Sequence, residues 1–323
     1  MGELTGAAPF LRVIAARLAQ AVCVAVAVSA LCFALLHLLP GDLALEVAAA
    51  RYEDRLTPAS IERVRSEAGL DRPILAQFAS WVAAALTGDL GRSLVTRKPV
   101  AEELAYHLRY TAGLGAAGLI LSYLIALPLG VAAGLRPGGW IDGATAALSA
   151  ALASTPTFLI GLALISLFAL QWRLLPPAGF GELRHMALPA LTLALGLAAF
   201  STRILRNAVA ETWASFHMQF ARLKGLKERR VALGHGLRNA SIPVVAFMAV
   251  QMTLVIDGFV VIETLFNYPG VGDLLIKALL ARDLPMAQGA GLVIGLAFAA
   301  VNLAADLACL WLDPRQRLIV RPQ

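Results

Sequence analysis

Charge is what this chain has least of. Asp, Glu, Lys and Arg together make up 15% of its 323 residues, where soluble domains carry about 25%. Hydrophobic residues reach 59% and the mean hydropathy is +0.73. That balance excludes a soluble globular enzyme and a disordered chain, and it points to a membrane protein. Cysteine is scarce too. Cys23, Cys32 and Cys309 all lie in apolar stretches, with neither a disulfide framework nor metal-ligand spacing. Catalytic signatures are missing: there is no G-x-x-x-x-G-K-[ST] to cradle ATP, no H-E-x-x-H and no G-x-S-x-G. His37, His107, His185, His217 and His235 are scattered without an i, i+4 pair. No cofactor, metal or enzymatic activity is expected. The net charge of +6 reads, in so apolar a chain, as loops facing an anionic membrane surface rather than as a nucleic-acid site.

What is abundant is uninterrupted apolar sequence. Cutting at every Asp, Glu, Lys and Arg leaves six runs of at least 18 residues: 18–41, 110–135, 143–172, 185–202, 239–256 and 284–305. A helix needs roughly 20 residues to cross the hydrocarbon core. The fourth and fifth runs reach that length by extending to Arg203 and Asp257. The runs do not alternate as barrel strands would. The expectation is an all-α membrane protein with six transmembrane helices. The first run could be a signal peptide, since Arg12 and Arg17 precede it. It is too long for an h-region, however, and ends in Leu35-Leu36-His37-Leu38-Leu39-Pro40 without a small-x-small cleavage site. It reads as an uncleaved first span.

The loop 203–238 holds eight bases and two acids. Lys and Arg collect on the cytoplasmic side. This loop follows four spans, so both termini are expected in the cytoplasm, in agreement with Arg12, Arg17, Arg136, Arg315, Arg317 and Arg321. Segment 42–109 then lies outside. It has nine bases and ten acids over 68 residues, enough for a small helical subdomain. Thr57-Pro58-Ala59-Ser60 reads as a helix start. Residues 73–88 form a second, amphipathic stretch with Phe78 and Trp81, too short to count as a span. The expected division is a first helix plus external subdomain over 1–105, a five-helix membrane body over 106–313, and a tail over 314–323.

Gly113, Gly115 and Gly118 match G-x-G-x-x-G, but inside an apolar run, where small residues let helices approach closely rather than bind a dinucleotide. Gly130/Gly134 and Gly291/Gly295 have GxxxG spacing and read the same way. The basic loop is more informative. From Glu211 to Pro243 it reads as a basic helix, a break at Gly225, and a second short helix returning to the membrane. Ala221 and Gly225, four apart, are expected on one face with exposed backbone, able to seat in a groove of another protein. A solvated positive loop is the plainer alternative.

At Ala221-Arg222-Leu223-Lys224-Gly225-Leu226-Lys227-Glu228-Arg229-Arg230-Val231, followed by His235 to Pro243, the chain resembles the inner-membrane permeases of bacterial ABC importers, in the dipeptide/oligopeptide/nickel family. The segment, within about 209–242, is similar to their EAA motif, although Gln219-Phe220-Ala221 keeps only its last Ala. Further similarities run through the chain in order: Leu38 to Asp42, Gly88 to Leu94, Ser154 to Phe158, Leu174-Leu175-Pro176, Glu263 to Gly272 and Ala281 to Pro285. The resemblance implies a type I importer topology in the bacterial inner membrane. It implies two ATP-binding subunits docking on the basic loop, a second related permease, and an external solute-binding protein. Carried over by position, Ala221, Arg222, Lys224, Gly225, Leu226, Arg229 and Arg230 form the docking segment. Asp257 interrupts the fifth run. It either lines the path and favours a cationic group, or pairs at the interface with the second permease. Glu263 and the turn to Gly272, with a helix-like 273–281, resemble an external re-entrant element. Two other classes compete with this one: an ATP-independent secondary transporter or channel, for which no internal repeat is visible, and a membrane-embedded enzyme, for which no catalytic constellation exists.

Overall fold

The computed structural model describes residues 7–52, 55–225 and 236–312. Everything described is helix or connecting loop. In chain order the helices are α1 (Ala7–Leu38), α2 (Leu43–Tyr52), α3 (Pro58–Glu67), α4 (Ile74–Leu86), α5 (Val100–Leu135), α6 (Trp140–Ser154), α7 (Thr157–Leu164), α8 (Leu183–Ala214), α9 (Phe216–Leu223), α10 (Leu237–Leu265), α11 (Val271–Leu280) and α12 (Leu284–Leu312). A π-helical stretch, Ile165–Gln171, continues α7.

Among the described residues, four stretches are long and apolar enough to cross a bilayer: Ala15–Leu38, Val100–Leu135, Leu183–Ala214 and Leu284–Ala305. The third predicted run, 143–172, is not one straight span. It is α6 and α7 with its π continuation, bent by 105°. The cause is Pro156. It lacks an N–H, and its ring pushes the preceding residue out of the helical region. Thr155 is accordingly extended, at φ −92° and ψ 124°. The fifth predicted run falls in α10, whose apolar stretch among the described residues is Pro243–Met252.

The fourth predicted run, 185–202, also differs. α8 continues through Arg203 and Arg206 to Ala214, so the polar loop begins later than the charges suggest. Arg206 is tied to Asp142 by a fork of two hydrogen bonds, Nε to Oδ1 at 2.8 Å and Nη2 to Oδ2 at 2.6 Å. The same carboxylate accepts from the Gly138 N–H at 2.8 Å. A paired guanidinium no longer demands bulk water, so it does not end the helix.

The chain divides into two compact units. The first comprises residues 1–112 and 269–300. Here α1 lies against the start of α12, close enough that a β-carbon at Gly295 would sit 2.9 Å from the Ala25 backbone, and one at Gly291 3.0 Å from Cys32 Sγ. Ala44, Val47, Ala48 and Val64 form a small core between α2 and α3. The predicted helix start at Thr57 is a full capping box. The Thr57 side chain accepts from the Ser60 N–H, and the Ser60 side chain accepts from the Thr57 N–H.

The second unit comprises residues 113–268 and 301–323. Its central element is α8, 67% of whose apolar window is buried within the chain, against 28% for α1. The glycines of α5 let α8 approach. A β-carbon at Gly118 would lie 2.5 Å from Leu193, one at Gly130 2.9 Å from Leu205, and one at Gly134 2.7 Å from the Arg206 carbonyl oxygen. The packing reading therefore holds at Gly118, Gly130/Gly134 and Gly291/Gly295 but not at Gly113, where a β-carbon would meet nothing within 4 Å among the described residues. Gln251 of α10 also reaches α8, donating to the Leu197 carbonyl at 2.9 Å and to Ser201 Oγ at 2.7 Å.

Candidate functional site

The basic segment begins where α8 stops. Ser215 is extended (ψ 152°), and its carbonyl accepts from the N–H groups of Met218 at 3.2 Å and Gln219 at 3.3 Å. The chain thus restarts as α9 in a new direction. The inner face of α9 is Met218, fully buried, and Ala221, 8% exposed, both packed on Trp213. Gly236 closes the same cluster. A β-carbon there would stand 2.5 Å from the Trp213 ring. The outer face is Phe216, Phe220 and Leu223, exposed by 82%, 50% and 85%. Their i, i+4, i+7 spacing lines them up along one side of the helix. Lys224 Nζ lies 4.7 Å above the Phe220 ring, a cation–π contact that keeps a positive charge at the end of the apolar row. Gly225 ends the helix at φ +73°, and a β-carbon on it would meet nothing within 4 Å.

This arrangement corrects the expected face. Ala221 does not expose its backbone beside Gly225. It is turned inward onto Trp213 and Met218, while Gly225 lies beyond the helix in left-handed conformation. The exposed row is aromatic and aliphatic instead. The helical spacing of Phe216, Phe220 and Leu223 was the signal that could have identified it. The side chain of Arg222 and the whole of Leu226, Arg229 and Arg230 lie outside the described residues, as do Lys227, Glu228, His235 and the C-terminal arginines.

The two acids expected at the path or the partner interface are both on α10. The side chain of Asp257 lies outside the described residues. Glu263 is completely buried near the end of the helix, and its carbonyl accepts from the Tyr268 N–H at 2.8 Å. Six residues turn a helix through about 600°, which leaves the two positions roughly 120° apart. They do not share a face.

Several sequence motifs do converge. Asp283, 3% exposed, accepts from Ser93 Oγ, from the Leu94 N–H at 3.1 Å and from the Val95 N–H at 3.5 Å. The neighbouring Arg282 donates to the Pro40 carbonyl. Thus the segments 38–42, 88–94 and 281–285 meet in the first unit. The start of the 269–272 turn is held there too: His107 Nδ1 lies 3.0 Å from the Pro269 carbonyl, and the Val271 N–H donates to Thr111 Oγ1 at 2.9 Å. Among the described residues no group of three or more His, Cys, Asp or Glu could hold a metal ion.

Comparison with known proteins accounts for this pattern of motifs. Residues 126–318 match the family described as binding-protein-dependent transport system inner membrane component, and residues 10–114 match its N-terminal companion family. The glutathione transport system permease protein GsiC of Escherichia coli (strain K12) is 35% identical over 290 residues, covering 90% of this chain and 94% of that protein. GsiC of Salmonella choleraesuis (strain SC-B67) matches to the same extent. Two solved structures share the fold. One, the MetNI methionine ABC transporter in an inward-facing conformation, aligns with TM-score 0.53 at 16% identity, over 68% of this chain and 97% of its own. The other, an amino acid ABC transporter, aligns with TM-score 0.51 at 12% identity, over 67% and 94%. The relatives are permease subunits rather than enzymes. This chain accordingly belongs to the inner-membrane permeases of binding-protein-dependent ABC importers, within the dipeptide/oligopeptide group.

Proposed function

We propose that the chain forms half of the translocation path of an ATP-driven importer for peptides or a related small solute, with glutathione, dipeptides, oligopeptides and nickel chelates as the candidate class. The observation that carries this reading is the exposed apolar row of α9. An amphipathic helix with Phe216, Phe220 and Leu223 outward and Met218 and Ala221 anchored inward is suited to lie in a groove of a partner. That partner is the ATP-binding subunit, two copies of which serve this permease and a second, related one. Lys224, and with it Arg222, Leu226, Arg229 and Arg230, flank the contact. Gly225 supplies the turn, and Ala221 supports the helix from beneath. An external binding protein delivers the solute.

In this reading the chain crosses the membrane six times, with both termini and α9 on the ATPase side, and residues 106–313 form the permease body. Closure of the ATPases moves α9 as a rigid lever on α8. Asp257 lies on the path or at the second permease, and Glu263 helps close the path on the outer side. An Asp257→Asn variant separates the first pair. A changed preference between cationic and neutral peptides assigns the path, and loss of the co-purifying permease assigns the interface.

The decisive test is mild-detergent purification of the chain from its native membrane, with mass spectrometry of the co-purifying proteins. The reading requires ATP-binding subunits and a second permease with the native chain, and loss of the ATP-binding subunits with Phe220→Asp/Leu223→Asp. Recovery of the chain alone from both, together with uptake that needs no ATP, would return it to the secondary transporters.

A further inference from the structure

The first unit contains a cavity of about 630 Å³ that the transport reading does not use. Its walls are the end of α2, α3 and the turn after it, α4, the loop before α5, and the facing ends of α1 and α12. Four guanidiniums line it, those of Arg51, Arg72, Arg92 and Arg97, against a single carboxylate, Glu67. Glu67 is already engaged. Arg51 donates to Oε2 at 2.9 Å, and Arg97 donates to both oxygens at 2.7 and 2.6 Å. Among the described residues, no carboxylate lies within ion-pair distance of Arg72 or Arg92. The cavity wall therefore carries a surplus of positive charge.

Two further donors on the same wall lack acceptors. Trp81 Nε1 and Gln288 Nε2 are both buried without a hydrogen-bond partner. Gln288 is only 3% exposed, and its backbone is fixed, since its carbonyl accepts from Ser29 Oγ at 3.2 Å. An indole N–H can only donate, so only an acceptor brought in from outside can satisfy it. Leaving such a donor buried and unpaired is unfavourable, so the site favours a ligand that supplies the acceptor. Arg92 Nη1 donates to the Arg97 carbonyl at 3.3 Å, which orients its guanidinium and leaves its charge unneutralised. Two donors and two guanidiniums without a carboxylate around one cavity call for a compact, multiply oxygenated anion.

The location narrows the source. Phe33 and Gln288 line the cavity, and each is within about two turns of the adjoining ends of two spanning helices. For a helix that crosses the bilayer, the end of the apolar stretch is where hydrocarbon gives way to headgroups. α4, which forms one wall, exposes Ile74, Leu75 and Leu86, as a helix lying at that interface would.

We propose that this cavity is a phosphate-type oxyanion site, occupied in the membrane by the headgroup of an anionic phospholipid, with free phosphate as the other source of the same chemistry. The guanidiniums of Arg72 and Arg92 bind the phosphate oxygens. Trp81 and Gln288 donate to those that face inward.

The test is native mass spectrometry of the full chain, purified with its partners and stripped of lipid. It is then titrated with phosphatidylglycerol or phosphatidylcholine, with and without inorganic phosphate. Arg72→Ala/Arg92→Ala is compared with Arg63→Ala, which changes an exposed residue outside the cavity. The proposal requires preferential retention of phosphatidylglycerol. It also requires the double variant to bind it about tenfold more weakly or worse, and Arg63→Ala to bind it normally. Gln288→Leu removes one orphaned donor while suiting an apolar wall, so it should stay folded and still weaken retention. Lipid held against phosphate identifies the headgroup as the ligand, whereas phosphate that binds and displaces it identifies the free anion. Equal retention of both lipids, or undiminished binding by both cavity variants, overturns the proposal.

Discussion

The loop from Gly91 to Pro99 and the helix from Phe216 to Leu223 are both short segments beside long helices, and both carry positive charge. One is finished by its own chain and the other is not. In the loop, Asp283 takes up the Ser93 hydroxyl and two backbone N–H groups, and Val100 donates back to the Gly91 carbonyl at 3.0 Å. In the helix, three large apolar side chains stand exposed in a row. Glycine marks the same contrast. Gly134 has no room for a β-carbon, while one at Gly225 would meet none of the described residues within 4 Å. The first kind of site closes the fold on itself. The second holds its shape and leaves an apolar row uncovered by the described residues, the face assigned above to a partner.

The sharpest way to break that contrast is to enlarge both glycines. Gly134→Leu would drive side-chain atoms into the Arg206 carbonyl and Val209, which cannot move without separating α5 from α8. A loss of about 3 kcal/mol or more is expected, seen as little monodisperse protein on size exclusion. If Gly134→Leu is as stable as the native chain, the close approach is not structural. Asp283→Ala should come next. It leaves a buried hydroxyl and the Leu94 N–H without their acceptor, at about 2–4 kcal/mol in sum. Limited proteolysis should then cut within 89–98, where the native chain resists.

Phe220→Asp should leave the thermal midpoint of the isolated chain nearly unchanged while weakening the ATP-binding subunits by about 2 kcal/mol, roughly thirtyfold. A matching fall in the midpoint would show that Phe220 serves the fold instead. The smallest effect is expected at Gly225. Gly225→Ala places a side chain in left-handed backbone at about 1 kcal/mol, and Gly225→Asn should cost less, because Asn tolerates that conformation. Both should fold, and ATP-driven uptake should decline in the order Gly, Asn, Ala.

Local chemistry was the legible part of the sequence. The Thr57–Ser60 box, the helix over 74–86 and the close-packing glycines can all be read from neighbours a few residues away. What escaped depends on chain direction and on which side chains meet, near or far along the chain. Arg206 looked like the edge of a loop because Asp142, 64 residues away, could not be known to reach it. The apolar run through Pro156 looked like one span because apolarity records depth but not direction. Ala221 looked exposed because its small size suits a docking surface, yet Trp213 and Met218 cover it. The exposed row at Phe216, Phe220 and Leu223 was present in the spacing, but charge drew attention to the bases around it.

The joint at Asp283 also has a consequence for how the protein is made. Ser93 and Asp283 are 190 residues apart, so the loop before α5 cannot be completed until almost the whole chain has left the ribosome. At about 5–20 residues per second that is a wait of roughly 10–40 seconds. During it, the Ser93 loop and the cavity wall beside it stand open, with α1 already inserted. The last helix is thus the clasp of the first unit. A chain stopped short of residue 283 would lack the acceptor for Ser93 Oγ and the Leu94 N–H and so leave the first unit unfinished, however well its early helices had formed.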